Sequence, residues 1–508
     1  MWQNQVFSGF SDHFKKYLWP IEKKELSFFI PMTAIMMCAL YNFAALRSIK
    51  DSLVVSNIGA ESISFLKLWL TLPAAIIFTL IYLKLSNKFS LNIVFYIITS
   101  CFLGFFTFFC LWLYPNRDAL HYSGETVDNL TILYPHLKWF IRIASNWTYA
   151  LMYIFSELWS VVIINLMFWQ FANHLVNTND AKRFYPLFGL IGNIGLVIAG
   201  NVLVFFSDIS LVNESIIRLA SHANAQNSDI SLKLSILSVI FSGIIMLCIM
   251  YYLNSTMQKK KFYNNRSTED TVTKLSFIDS IKLIFSTKYI GYLTVIIICY
   301  GFTINILEGP WKAKIKELHP SQQEYLTFMG HFNIWMGASC ITFMIIGGNI
   351  LRFFGWKVAA LFTPAVIGIT GVAFFTFVIF SDTLNNDANI LWFNPLLAAV
   401  FAGAAQNILS KSSKYSLFDA TKEMAYIPLS LELRTKGKAA AEVVGAKFGK
   451  SLGAIIQSSI FTLIPSANFS EMTYILLTIF VVVITVWIVD VLALSSEYKR
   501  VNVEESKK

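Results

Sequence analysis

The sequence predicts an all-α integral membrane protein with twelve transmembrane helices in two six-helix halves, a major-facilitator-like architecture. Three observations predict it. The chain of 508 residues is 56% hydrophobic and 16% aromatic but only 14% charged, against about 25% charged residues in soluble globular proteins. Apolar runs such as "FYIITSCFLGFFTFFCLWLY" (95–114) and "YILLTIFVVVITVWIVDVLAL" (474–494) reach the roughly 20 residues a helix needs to cross a bilayer core. A weak internal repeat relates the halves. "AKRFYPLFGLIGNIG" (181–195) and "GKAAAEVVGAKFGKSLG" (437–453) each place a glycine seven residues after a lysine, Lys182 to Gly189 and Lys438 to Gly445. Small residues at such spacing let helices approach closely. The alternating pattern of an outer-membrane barrel is absent.

Apolar windows place spans near 26–46, 62–83, 91–114, 147–174, 185–206, 233–254, 289–308, 325–350, 356–380, 390–428, 440–465 and 472–494. The tenth needs an argument, because hydropathy alone covers only 390–410. The shift that maps Lys182 onto Lys438 carries 147–174 onto roughly 403–430. One long helix with a polar second half satisfies both. The chain thus divides into an N-terminal segment (1–25), a first half (26–254), a linker (255–288), a second half (289–494) and a tail (495–508).

Basic residues orient the bundle. Lys15, Lys16, Lys23 and Lys24 precede the first span, and Lys182 and Arg183 follow the fourth. Lys259, Lys260, Lys261, Arg266 and Lys274 fill the 255–288 loop, and Lys499, Arg500, Lys507 and Lys508 close the chain. The opposite loops are poorer, with 115–146 (Arg117, Lys138, Arg142) a partial exception. The positive-inside rule then puts both termini in the cytoplasm. Topology accounts for the net charge of +10, so no nucleic-acid partner is called for. The stretch "SFIDSIKLIF" (276–285) is partly amphipathic and is expected to lie along the membrane surface. The first 25 residues carry Asp12, Glu22 and Glu25 and no apolar run, which speaks against a cleaved signal or a transit peptide. All six cysteines sit in apolar runs, as core-filling residues rather than a disulfide framework. No metal-ligand spacing appears, and no cofactor is expected.

Ionisable groups at membrane depth cost at least a few kcal/mol each and need a reason. In "YNFAALRSIKDSLV" (41–54), Arg47 and Asp51 are spaced to pair at i,i+4, which leaves Lys50 as a free cation. In "YIFSELWSVVIINLMFWQFAN" (153–173), Glu157 has no neutralising neighbour in sequence. In "YGFTINILEGPWKAKIKEL" (300–318), Glu308 closes the seventh span before Gly309-Pro310, and Lys312, Lys314 and Lys316 read as a basic outer flank. In "KYSLFDATKEMAYIPLS" (414–430), Lys422 lies among Asp419, Glu423 and Tyr426, with Pro428 marking the helix end. Lys67, and Lys447 and Lys450 beside Gly449, add interior positive charge.

Each position also has a bland reading: a snorkelling helix end for Lys50, a structural ion pair for Glu157, a helix stop for Glu308. Together they make an interior with surplus cations, which suits an anion with several charged oxygens such as a polyphosphate. Tyr41, Phe43, Trp159, Trp169 and Tyr426 offer rings for a base. "GAKFGKS" (445–451) falls one residue short of a phosphate-binding loop and follows no strand, so phosphate hydrolysis is not suggested.

At these same stretches the chain resembles the ATP/ADP translocases of obligate intracellular bacteria and plastids, the nucleotide transporter family. The segments are "FAALRSIKDSLVV" (43–55), "SELWSVVIINLMFWQFAN" (156–173), "TINILEGPWKAKIKEL" (303–318) and "KYSLFDATKEMAYIPLS" (414–430). The resemblance implies that Lys50, Glu157, Glu308 and Lys422 are the four charged residues on which transport depends. Arg47, Asp51, Lys447, Lys450, Tyr41 and Trp169 are secondary candidates. It also implies exchange of ATP for ADP across a bacterial inner membrane, with phosphate accompanying ADP in some members. The residues after Glu308, Gly309 and Pro310, depart from the family's common pattern. The chain is read as a monomer in the lipid bilayer. Proton-driven import, or exchange of GTP, CTP or UTP, is the alternative within transport. A membrane enzyme acting on phosphorylated headgroups would need a nucleophile and base, or a metal cluster, that the sequence does not arrange.

Overall fold

The computed structural model describes residues 21–176, 178–215, 217, 226–259, 284, 286–384, 394–430, 433 and 437–505. The expected surface helix at 276–285 falls almost wholly outside them. Among the described residues there is no strand, and every expected apolar run is helical. The long helices are α1 (Leu26–Asn57), α2 (Ser62–Lys88), α3 (Leu91–Leu113) and α4 (Trp147–Leu175). Then come α5 (Thr178–Gly192 and Ile194–Ser207), α6 (Asn227–Lys259) and α7 (Lys288–Leu318). Gln322–Leu384 is broken at Gly355, whose φ of 74° is left-handed; α8 precedes that break and α9 follows it. The set ends with α10 (Pro395–Tyr426), α11 (Lys438–Leu463) and α12 (Thr473–Glu505).

Among the described residues, ten helices are long and apolar enough to cross a membrane. The other two long helices, α10 and α11, coincide with the expected tenth and eleventh spans but are too polar to qualify by composition. Residues 414–430 do continue α10 as far as Tyr426, two residues before Pro428. Bare apolar surface such as Ile76, Ile77, Leu80 and Ile81 on α2, or Val481, Val482, Val486 and Val489 on α12, is suited to lipid.

Two helices outrun their apolar windows. α1 stays helical for eleven residues past 46, through Arg47, Lys50 and Asp51, because all three are buried against partners in the bundle. α7 runs through Pro310 to Leu318 rather than ending at Glu308. A proline inside a helix frees the carbonyl four residues before it, here that of Ile306. Gln457 of α11 repairs the loss: its Nε2 donates to the Ile306 carbonyl at 3.1 Å and to that of Asn305 at 3.3 Å.

α1 packs on α4, α5 and α6, and α7 packs on α10, α11 and α12. Glycines permit the closest approaches. A Cβ on Gly195 of α5 would lie 2.3 Å from the Met37 carbonyl oxygen of α1. One on Gly449 of α11 would lie 2.6 Å from that of Ile298 on α7. We call the end of the bundle where α1 begins and α12 finishes the terminal end, and the other the far end. At the far end Asn57 Nδ2 donates to Gln322 Oε1 at 3.2 Å, His136 Nδ1 bonds the Thr462 carbonyl at 2.7 Å, and Gln323 reaches the Ser207 carbonyl. At the terminal end the ion pairs among the described residues stay within one half, such as Arg183–Glu25 and Lys438–Glu423. The bundle is bridged at the far end.

Gln457→Leu, which keeps bulk and removes the donor, should leave the Ile306 carbonyl unsatisfied. The expected loss is about 1–3 kcal/mol, read as a lower thermal unfolding midpoint of the purified protein in detergent.

Candidate transport site

Three of the four principal residues meet in one buried network. Lys50 Nζ of α1 lies 2.9 Å from Glu157 Oε1 of α4 and donates to Asp51 Oδ1 at 2.7 Å. The other oxygen of Asp51 lies 2.9 Å from Lys312 Nζ of α7. Lys312 in turn lies 3.0 Å from Glu308, one turn back on its own helix. Glu308 collects two further cations. Arg47 Nη2 donates to its Oε1 at 3.1 Å, and Lys67 Nζ of α2 donates to its Oε2 at 2.7 Å and to Asn305 Oδ1 at 2.9 Å. Lys50 also sits 4.0 Å above the centre of the Tyr153 ring, a cation–π contact that strengthens where water is excluded.

The network holds four cations (Arg47, Lys50, Lys67, Lys312) against three carboxylates (Asp51, Glu157, Glu308). Isolated, each charge would be expensive; paired and hydrogen-bonded, the set survives at depth with one positive charge in surplus. Access is graded. Lys312 and Asp51 side chains are fully buried, whereas 20% of Lys67 and 31% of Glu157 remain exposed. Glu157 and Lys67 are therefore the faces that the network shows to the interior space.

π-helical turns set these positions. Lys67 lies in the wide turn Leu66–Thr71, Glu157 lies just before Ser160–Phe168, and Lys414 opens Lys414–Phe418. Such insertions rotate the residues beyond them and concentrate at functional sites.

Lys422 is not brought to the network. It lies near the terminal end of α10, 2.6 Å from Glu442 of α11 and 3.6 Å from Asp419. Lys414, two turns deeper, pairs with Asp419 at 2.8 Å. Lys450 on α11 is exposed with no ion-pair partner among the described residues, within electrostatic range of Glu157, Lys414, Lys67 and Glu308. The side chain of Lys447 lies outside the described residues. A ladder of basic groups thus runs from Lys422 through Lys414 and Lys450 to Lys67 and Lys50. Tyr41 is turned into the packing of α1 on α6, where its hydroxyl donates to Ser238 at 2.7 Å. Trp169 packs edge-on against Tyr185, ring centres 5.1 Å apart. Neither ring joins the network. Residues 445–451 are helical throughout and form no phosphate loop.

Two expectations need correcting. Arg47 and Asp51 do not pair with each other: Arg47 crosses to Glu308, and Asp51 is held by Lys50 and Lys312. Lys50 is consequently not free. Lys312, expected in an outer flank, is fully buried at the network's centre. The signal for it is its position four residues after Glu308, on the same helix face. Sequence reasoning likewise misses Tyr153, Asn305 and Lys414.

A helical bundle whose polar, net-cationic core lies between its two halves defines a polytopic transporter of the major-facilitator type. Solved structures agree on the fold. A bacterial homologue of the iron transporter ferroportin, in an inward-facing state, superposes with a TM-score of 0.57 at 11% identity over 94% of this chain and 100% of that one. The xylose transporter XylE from E. coli gives 0.53 at 12% identity over 92% and 97%. The chain belongs to the TLC ATP/ADP transporter family, whose model matches residues 5–498. It is 56% identical over 492 residues to ADP,ATP carrier protein 3 of Rickettsia prowazekii, covering 96% of this chain and 98% of that protein. It is 43% identical over 488 residues to ADP,ATP carrier protein 1 of Rickettsia bellii, covering 96% of each.

Lys312, at the centre of the network, and Lys422, at the terminal end of the ladder, should differ in stability effect. Lys312→Ala removes a fully buried cation shared by Asp51 and Glu308, which keep Lys50, Arg47 and Lys67, and should cost about 1.5–3 kcal/mol. Lys422→Ala relieves only partly exposed partners and should cost no more than about 1 kcal/mol. Thermal unfolding of the two purified variants should rank them in that order.

Proposed function

We propose that this chain exchanges ATP for ADP by alternating access, and that it sits in a bacterial inner membrane with both termini in the cytoplasm. The observation that carries the reading is the network of four cations and three carboxylates between α1, α2, α4 and α7. Relatives named ADP,ATP carrier proteins support the choice of nucleotides. The basic residues clustered on the loops of the terminal end support the orientation. The rocking units are 26–254 and 289–494, joined by the linker 255–288, and the chain works as a monomer.

Without nucleotide, the carboxylates serve as counter-ions to the lysines. A polyphosphate entering from the terminal end meets Lys422 first, then Lys414 and Lys450, and takes the place of Glu157 and Glu308 on Lys50 and Lys67. Charge-assisted bonds to phosphate oxygens replace those to carboxylates, so the cations never stand unpaired. Exchange follows from this substitution: a nucleotide leaves only when carboxylates or another nucleotide neutralise its lysines. Phosphate moving with ADP would make up the charge difference between ADP and ATP.

Proteoliposomes test the reading. Labelled ATP should enter vesicles preloaded with ADP, remain outside empty ones, and enter equally well with a proton uncoupler present. Lys50→Ala and Lys422→Ala should each cut exchange at least about tenfold, the effect of losing one charge-assisted contact worth 1.5–3 kcal/mol. Uptake into empty vesicles that collapses with the uncoupler would instead establish proton-driven import.

A further inference from the structure

The two ion pairs that join α1 to α7 have a shared register. Arg47 and Glu308 are 261 positions apart in the chain, and so are Asp51 and Lys312. The same offset separates the last residues of the two helices, Asn57 and Leu318. It also separates Met37 from Ile298, the two carbonyls that Gly195 and Gly449 approach from α5 and α11. That packing lies several turns away on different elements, so it supports the register independently. Residue i of α1 and residue i+261 of α7 are therefore structural equivalents in the two halves.

Equivalent residues related by a two-fold axis touch each other only when they lie at the axis. Arg47/Glu308 and Asp51/Lys312 do touch, at 3.1 and 2.9 Å, so these four side chains mark the axis between the halves. In a symmetric dimer a residue on the axis meets its own copy, and a charge there would repel itself. In one chain the two copies can differ, and here both have opposite signs. The order also reverses: plus then minus along α1, minus then plus along α7, one turn apart in each. A slip of one turn would set Arg47 against Lys312, or Asp51 against Glu308. The pairing is satisfied in one register and opposed in the next.

We propose that Asp51 and Lys312 are positioning residues for transport: with Arg47 and Glu308 they form a charge-reversed latch on the axis between the halves, which holds the far end closed and must part for it to open. The inference rests on the alternating-access reading and deepens it. The latch lies toward the far end, since Asp51 and Lys312 are each six residues, about 9 Å of helix, before Asn57 and Leu318. That is the end where Asn57 meets Gln322 across the halves. The members differ in exposure in the way a latch requires. Asp51 and Lys312 are fully buried and have no route to substrate, whereas Glu308 is bound to the more accessible Lys67. A phosphate that draws Lys67 and Arg47 away from Glu308 removes half of the latch and leaves the Asp51–Lys312 pair to hold alone. An empty carrier, with Lys67 and Arg47 returned to Glu308, stays latched.

The test reads the far end directly. Val54→Cys, at a fully buried position one turn beyond Asp51 toward the far end and on the same helix face, is introduced into the full chain, and its reaction with a membrane-impermeant maleimide is followed in vesicles without nucleotide, the chain lacking Val54→Cys serving as the blank. The pair is removed as a unit, Asp51→Asn with Lys312→Gln, so that neither partner is left as a stranded charge. The control is Lys314→Gln with Asp382→Asn, a partly buried pair within the second half and off the axis. Removing the latch pair should raise the labelling rate at least about tenfold, the shift given by about 1.4 kcal/mol. It should also let preloaded nucleotide escape without exchange, while the control pair leaves labelling within about twofold of the parent. Unchanged labelling after removal of the latch pair, or an equal rise in the control, overturns the latch. Should the labelling behave as described while the parent carries no nucleotide, the antiport reading falls and the latch stands.

Discussion

The buried charges on α1 can exist only because neighbouring helices, α7 above all, supply opposite ones, and most of the interior follows from that constraint. Arg47, Lys50 and Asp51 occupy one turn of a helix at membrane depth, where each alone would cost several kcal/mol. Neutralising them takes four helices. Glu157 comes from α4, Lys67 from α2, and Glu308 and Lys312 from α7. The helices cannot slide independently without stranding a charge, so electrostatics sets their register as firmly as shape does.

The backbone bends to serve this core and is repaired where it does. Pro310 two residues after Glu308 breaks the ladder of α7, and Gln457 of α11 takes up the released carbonyl. Wide π turns in α2, α4 and α10 occur where those helices present Lys67, Glu157 and Lys414. Glycines bring α5 against α1 and α11 against α7 at near-identical depths in the two halves, so that each of the two helices that meet through ion pairs has a closely packed neighbour behind it. The halves meet through the ion pairs of α1 and α7, through hydrogen bonds at the far end, and through close packing of α5 on α8, where a Cβ on Gly200 would lie 2.4 Å from the Gly330 carbonyl oxygen.

Much of this is legible in the amino-acid sequence. Hydropathy locates the spans, and the cost of intramembrane charge singles out Lys50, Glu157, Glu308 and Lys422. Sequence reasoning fails where local spacing stands in for contact. Arg47 and Asp51 are spaced to pair along one helix, yet each finds a partner on α7. Lys312 follows a proline and two other lysines follow it, a pattern identical to a solvated flank. Only the continuation of α7 through Pro310 carries it inside. Lys422 falls on the expected helix, but its distance from the other three depends on how far α10 extends toward the terminal end.

Composition and pattern determined by themselves that the chain is a helical membrane protein, which segments cross, and which charges demand an explanation. Those properties are local, fixed by the burial of apolar runs and by the price of desolvation. Partnership is not local. Which carboxylate meets which lysine, that Lys312 is interior, and that equivalent positions of α1 and α7 meet with opposite signs were decided by packing. The energy of an ion pair depends on distance and surroundings, and the sequence order of its members specifies neither.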